Sequence, residues 1–430
     1  MMRPPWQALA HGFFLWTGVH AQYGVFSPYS RLGLGLPYHD VVAPAGFLGP
    51  ASVAARQGAL LNPANPASYS ALEHLMLQFG MEAQQYRQFR GDASQNGNHA
   101  FFSQFALALP LWSQKMTLAV GFLPYTGTRY SYQSENQLVS PDDTFLVRHF
   151  YEGHGGVDRF FLGWSVKFLK GLSLGLNGLV YLGQIQKDKI THYPDVTGFI
   201  QTRFRESQRI RGPGLEAGIQ YEITWRKVLV TLGAAGEYGF GARSLETRQT
   251  DYYYGNYGDN PLFSELVSDR RVTVRRPSAL RGGFSCGKPG QWMIFAGVDH
   301  TFWAAYRYDG IPEPLFGNRS ARALAAEFLP FRKSLKSPGA FTSIQVSFRY
   351  TTEALRPEGQ PFRTFGIGFG LSIPWLTNSL MDRKLTSWLN AGVDYSLTRH
   401  PSPAVTGSDV FRLILAVNLR DKWSPKFKYN

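Results

Sequence analysis

The chain has 430 residues, including 45 Gly, 32 Phe, 22 Tyr, 10 Trp and a single Cys, and carries a formal charge of +14. A mean hydropathy of −0.21, with no apolar run long enough for a spanning helix, excludes a helical membrane protein. The lone Cys286 excludes an internal disulfide framework, so a chain of this length needs either several soluble domains or one large closed sheet.

The first element is an export signal. Arg3 supplies a positive charge, Ala8–Val19 a short apolar stretch, and Val19-His20-Ala21 a small-residue cleavage pattern. That is the layout of a secretory signal peptide over residues 1–21. Export makes nucleic acid an unexpected partner for the basic charge. Outer-membrane lipid and the phosphates of lipopolysaccharide are expected instead. Arg270, Arg271, Arg275, Arg276 and Arg281 form the densest basic group, and the first four are the candidate lipopolysaccharide contacts.

Residues 22–72 are rich in Gly, Pro and Ala and do not alternate in polarity. Proline removes ladder donors, so wall strands are not expected there. The segment reads as a periplasmic tail or as a plug folded into a lumen, and its length favours the plug.

From residue 73 the pattern changes to a period of two. One face of Gly214–Thr224 reads Leu215, Ala217, Ile219, Tyr221, Ile223 against Gly, Glu and Gln on the other, and Thr364–Ile373 sets Phe365, Ile367, Phe369, Leu371 and Ile373 against Thr, Gly and Ser. Such alternation marks strands with one apolar face. Fourteen candidates follow: 73–86, 100–110, 115–128, 157–168, 172–188, 211–225, 228–243, 274–285, 291–305, 318–330, 340–352, 363–373, 386–398 and 409–420. The tenth, through Ala321–Phe328, would suit a helix equally well. Short turns near Trp112–Gln114, Lys170–Gly171, Trp225–Lys227 and Gly287–Gly290 alternate with long polar connections near 129–156, 186–212, 244–272 and 306–320. Short periplasmic turns alternating with long external loops are the mark of a bacterial outer-membrane barrel. The expected fold is therefore all-β: a 14-stranded antiparallel transmembrane β-barrel over 73–430 with an N-terminal hatch (plug) over 22–72.

Four stretches carry a family likeness: FSPYSRLGLG at 26–35, NPANPASYS at 62–70, GFLPYTGTRY at 121–130 and VNLRDKWSPKFKYN at 417–430. In order and spacing the chain resembles the FadL-like outer-membrane transport proteins, in the form common among Bacteroidota. The resemblance implies a hatch element at Asn62, Pro63, Ala64, Asn65, Pro66 and Ala67. It also implies passive uptake of hydrophobic small molecules such as long-chain fatty acids, released sideways through an opening linked to a kink in the third strand. Pro124, Tyr125 and Gly127 are the candidates there: Pro124 would remove a ladder bond and Gly127 would ease a bend. The alternative is a Pro at a strand end, with Tyr125 in the aromatic girdle. Because the inward faces are mostly polar, an apolar pocket would have to come from Phe47, Leu48, Leu60 and Leu61 of the hatch and Tyr252, Tyr253, Tyr254, Tyr257 and Phe263 of a loop. The same exposed aromatics would equally serve as a protein-docking surface. Some FadL-like barrels are non-transporting subunits of larger outer-membrane complexes, including the barrel-assembly and type IX secretion machineries.

Catalytic chemistry is not expected, and neither is a cofactor. Asp299 and His300 are adjacent on a strand and point to opposite faces. His149 and His154 have no third ligand at metal-like spacing, Cys286 has no redox partner, and Gly33-Leu34-Gly35 follows no strand–helix unit.

Overall fold

A computed structural model describes residues 26–38, 45–56, 61–112, 114–139, 144–194, 200–254, 260–329, 343–380 and 383–421. The export signal, Leu60, Tyr257 and the C-terminal residues from 422 lie outside them. Nineteen strand segments form one sheet. Three are two-residue pieces, Leu36–Pro37, Arg307–Tyr308 and Ile311–Pro312, and two wall strands are each interrupted once, which leaves fourteen wall strands among the described residues. In chain order they are β1 (Leu75–Arg90), β2 (Ala93–Trp112), β3 (Met116–Val139), β4 (Thr144–Leu169), β5 (Leu172–His192), β6 (Ile200–Trp225) and β7 (Val228–Tyr238 and Gly241–Tyr254). There follow β8 (Phe263–Arg275 and Ala279–Lys288), β9 (Trp292–Thr301), β10 (Arg319–Phe328), β11 (Ser343–Thr352), β12 (Arg363–Leu380), β13 (Arg383–Arg399) and β14 (Gly407–Asp421). β14 pairs antiparallel with β1 from Gly407↔Phe89 to Asp421↔Leu75 and closes the ring.

The wall is apolar outside and polar inside, the reverse of a soluble sandwich. Leu215, Ile219, Tyr221 and Ile223 of β6 are exposed, while Glu216 and Gln220 between them are buried. In β14, Phe411, Leu413 and Leu415 face out and Arg412, Ile414 and Asn418 face in. Only a hydrocarbon exterior makes that arrangement favourable. Exposed Trp112, Trp225, Trp292 and Trp375 cluster near the short turns, where amphipathic indoles mark a membrane interface. No helix among the described residues is long and apolar enough to cross a membrane. The tenth candidate is a strand, with Ala321, Ala323 and Ala325 inward and Leu324 and Phe328 outward.

The described parts of three of the four expected long loops are instead strand. β3 and β4 stay paired up to Val139↔Thr144, β5 and β6 up to Thr191↔Thr202, and β7 and β8 up to Tyr252↔Phe263. Past the membrane both faces meet water, so alternation disappears from the sequence while the hydrogen-bond ladder continues. From Leu215 to Ile200, β6 climbs roughly 40 Å. β3 to β8 thus form a tall wall on one side of the mouth, whereas β9, β10 and β11 have 10 residues each.

Candidate functional site

The described parts of the N-terminal segment run inside the ring, held by two Asn-Pro elements. Asn65 accepts from the Ala67 N–H (3.0 Å) and so caps the short helix Pro66–Ala71. Its amide donates to the Val53, Ile219 and Ala234 carbonyls at 3.0, 3.2 and 3.3 Å, tying the segment to β6 and β7. Asn62 donates to the Ser52 and Ala55 carbonyls at 2.7 and 3.1 Å. Small inward residues leave room for this chain: a Cβ at Gly233 of β7 would strike the Val53 carbonyl, one at Gly297 of β9 the Pro50 carbonyl, and one at Gly370 or Gly392 the Phe47 ring.

Charges lock the same contacts. Arg56, nearly buried, pairs with Glu222 at 2.8 Å. Arg281 meets Glu216, Glu237 (3.4 Å) and Asp299 (3.3 Å), and also reaches the Ala64 carbonyl. Arg159 holds Glu237 at 2.9 Å. Arg412 bridges Asp394 (2.7 Å) and Glu82 (3.4 Å), and Glu82 accepts from the Tyr38 hydroxyl (2.9 Å). A buried charge persists only with such partners.

The wall has a seam. β2 and β3 pair only up to Phe105↔Phe122. Above that point β2 shifts register opposite Gly80/Met81, and β3 shifts between Pro124 and Thr126 against β4. Bulges of this kind bend strands and end pairing, so Pro124 and Tyr125 lie within β3 at the divergence rather than at a strand end. Tyr125 turns inward onto Tyr181 (4.8 Å between centroids) and does not join the girdle. The freed edge of β3 is taken by the N-terminal segment. Leu36 pairs with Gly127 and Pro37 with Thr126, the Tyr38 N–H donates to the Tyr125 carbonyl (2.9 Å), and the Ser27 N–H to the Arg129 carbonyl (3.0 Å). Gly35, at φ 91°, passes so close to Gly127 that no side chain fits.

Beside the seam is a cavity of about 130 Å³, bounded by Tyr29, Leu36, Tyr38, Trp303, Phe316 and Phe362. Phe26 and Tyr29 separate it from an outer vestibule of about 460 Å³ between the β1–β2 turn and Tyr130–Gln133 of β3. Trp303, Tyr306 and Phe316 fold over Gly33 from the external segment after β9. Sequence reasoning missed these three, because a segment without periodicity gives no sign of where it folds.

The other candidates divide. Phe47 packs with Ile414 and Ala416, Leu48 with Phe295 and Ala323, and Leu61 in the main cluster; they fill the lumen and do not line the cavity. Tyr253 is buried under Arg203 (5.1 Å), whereas Tyr252 stacks on Phe263 (5.7 Å) at the top of the tall wall. There, Ile200, Tyr254, Leu262, Phe263, Leu266 and Val267 are all exposed, the last two beside a bulge. Burial opposes ionisation of Glu246 and Asp251 in this wall, but bonds from Tyr308 and Arg270, and from Arg203, Ser264 and Gln249, outweigh it and hold both carboxyls below their ordinary range. Arg270 pairs with Glu246 and Asp309, and Arg271 and Arg275 are exposed. Arg276, expected on the surface, is buried on the Tyr181 ring (3.5 Å), since the break between the two halves of β8 turns it inward. Arg281 is also lumenal. Asp299 faces in and pairs with Arg281, away from His300. No metal-binding cluster occurs among the described residues.

The sequence profile of the BamG family matches residues 7–430. No curated protein matches the chain. Solved structures similar to it include a FadL homologue from Pseudomonas aeruginosa (TM-score 0.55, 11% identity, covering 84% of this chain and 95% of that one). Others are the toluene transporters TbuX of Ralstonia pickettii (0.53, 16%, 83% and 93%) and TodX of P. putida (0.50, 12%, 84% and 93%). At these identities the likeness is one of fold. A closed 14-stranded barrel of the FadL type belongs in the bacterial outer membrane.

Proposed function

This chain belongs to the BamG family, and from that premise we propose that it is a non-enzymatic accessory subunit of a larger outer-membrane complex, the barrel-assembly machinery foremost. Its lumen is occupied by the described parts of the 22–72 segment, which act as a hatch, and it works by docking. The observation that carries this reading is the apolar crest of the tall wall. Ile200, Tyr254, Leu262, Phe263, Leu266 and Val267 are exposed, far above the band that faces lipid. Ile200 opposes Tyr254 and Phe263 opposes Tyr252, so Ile200, Tyr254 and Phe263 share one face of the wall, and apolar surface held in water marks a protein contact. Locking of the N-terminal segment to the wall by Asn65, Arg56 and Arg281 supports a shut lumen. Purification of the tagged chain from native membranes in mild detergent tests it. The expected result is stoichiometric recovery with a second outer-membrane barrel, lost in Phe263→Asp/Leu266→Asp; recovery of wild type as a lone monomer refutes it.

The seam favours a second reading, hatch-gated uptake of hydrophobic small molecules with lateral release beside Tyr125. An engineered cavity of about 150 Å³ holds benzene, so the cavity of about 130 Å³ suits a ring-sized molecule better than a long acyl chain. Unchanged uptake of labelled hydrocarbon and of labelled fatty acid in a clean deletion strain counts against this reading.

A further inference from the structure

The outer face of the short side carries a feature that neither docking at the crest nor uptake through the seam uses. In successive antiparallel pairs, Arg322 of β10 stands opposite Tyr350 of β11, and Tyr350 opposite Phe365 of β12. Arg363, two residues from Phe365 toward the outside, stands opposite Arg399 of β13. Directly opposed residues share a face, and residues two apart along a strand share it too. Arg322, Arg363 and Arg399 therefore all project on the side of Leu324, Phe348, Phe365, Ile367 and Tyr395, which are exposed toward lipid.

These arginines sit at the external limit of the apolar band. Below them a shallow groove of about 610 Å³ runs over Leu324, Phe348, Phe365, Ile367 and Leu397, and Arg322 and the Tyr350–Phe365 pair (5.0 Å) form its upper end. Arg399 is tied to Asp409 at 2.6 Å and lies over Phe89. Arg322 and Arg363 have no ion-pair or hydrogen-bond partner among the described residues. A bare guanidinium directed toward hydrocarbon is costly unless it reaches an anion at the interface. Here two stand roughly 12 Å apart between backbones, as two strand spacings and one pleat repeat require.

We propose that this face is a binding site for the phosphorylated lipid A anchor of lipopolysaccharide. Arg322 and Arg363 take its phosphates, and the groove below takes acyl chains. Charge complementarity and the position of the cations at the outer-leaflet boundary identify the occupant. A zwitterionic phospholipid would fill the groove and leave both cations without a matching net charge. The site differs from the basic run at Arg270–Arg275, whose Arg270 is already neutralised by Glu246 and Asp309.

The test uses the full chain folded in detergent micelles, with binding measured by native mass spectrometry. The probes are bis-phosphorylated lipid A, the same lipid enzymatically dephosphorylated, and phosphatidylethanolamine. Wild type is expected to retain bis-phosphorylated lipid A in preference to both other lipids. Arg322→Ala/Arg363→Ala is expected to weaken that binding about thirty-fold (~2 kcal/mol). Both substituted side chains face outward, and heat-modifiable gel mobility verifies folding. Equal retention of phosphorylated and dephosphorylated lipid A by wild type overturns the proposal without any variant, and so does unaltered binding by the folded Arg322→Ala/Arg363→Ala protein.

Discussion

Replacing Arg281 with Met removes the cation at the centre of the lumenal cluster. Its guanidinium touches Glu216, Glu237 and Asp299, and all four side chains are less than a tenth exposed. After the substitution Arg159 still holds Glu237 at 2.9 Å, but among the described residues Glu216 keeps the Asn177 amide (2.7 Å) and Asp299 the Thr301 hydroxyl (3.1 Å). Two carboxylates would lose their nearest cation in a site closed by the N-terminal segment. Removing one partner of a buried pair costs about 3–5 kcal/mol, and the thioether fills most of the vacated volume, so cavity formation adds little. Urea unfolding in micelles, followed by tryptophan fluorescence, should show a loss of this size. Glu216→Gln in the same chain should restore part of it, because the remaining amide needs no counter-charge. A loss below about 1 kcal/mol, the range of solvent-exposed pairs, would refute the reasoning and mean that water reaches the cluster.

Gly233→Leu should drive residues 53–54 off β7, because even a Cβ there meets the Val53 carbonyl. The expected outcome is about 1–3 kcal/mol of destabilisation and discrete ion-conducting events in planar bilayers where wild type stays closed; an unaltered current trace refutes the occupied lumen. Cysteines at Leu36 and Gly127, in a Cys286→Ser background, face each other across the seam at a span that suits a disulfide. Oxidation should form the bond and add about 2–4 kcal/mol, and failure to crosslink would mean that the β3 edge is not held as described. If the second reading is right, the oxidised protein also loses hydrocarbon uptake, which dithiothreitol restores.

The sequence determined the barrel. Alternation in β6, β12 and β14, short turns such as Lys170–Gly171, and glycines on the polar face are local consequences of having lipid on one side and a filled lumen on the other, so they can be read without a structure. The Asn-Pro repeat stood out only through the family resemblance, and its tie to β6 and β7 appears with the tertiary structure. Tertiary structure decided the rest. The ladders above the membrane carry no alternation because both faces are wet, so residues 186–212 read as a loop although every backbone pair up to Thr191↔Thr202 is formed. Arg276 and Arg281 looked like surface charge, but strand breaks and register, set by partners far along the chain, turned them into the lumen. The site on β10 to β13 is the clearest case. Arg322 and Arg363 are unremarkable in sequence, and only the pairing of three strands brings them to one face at the edge of the membrane.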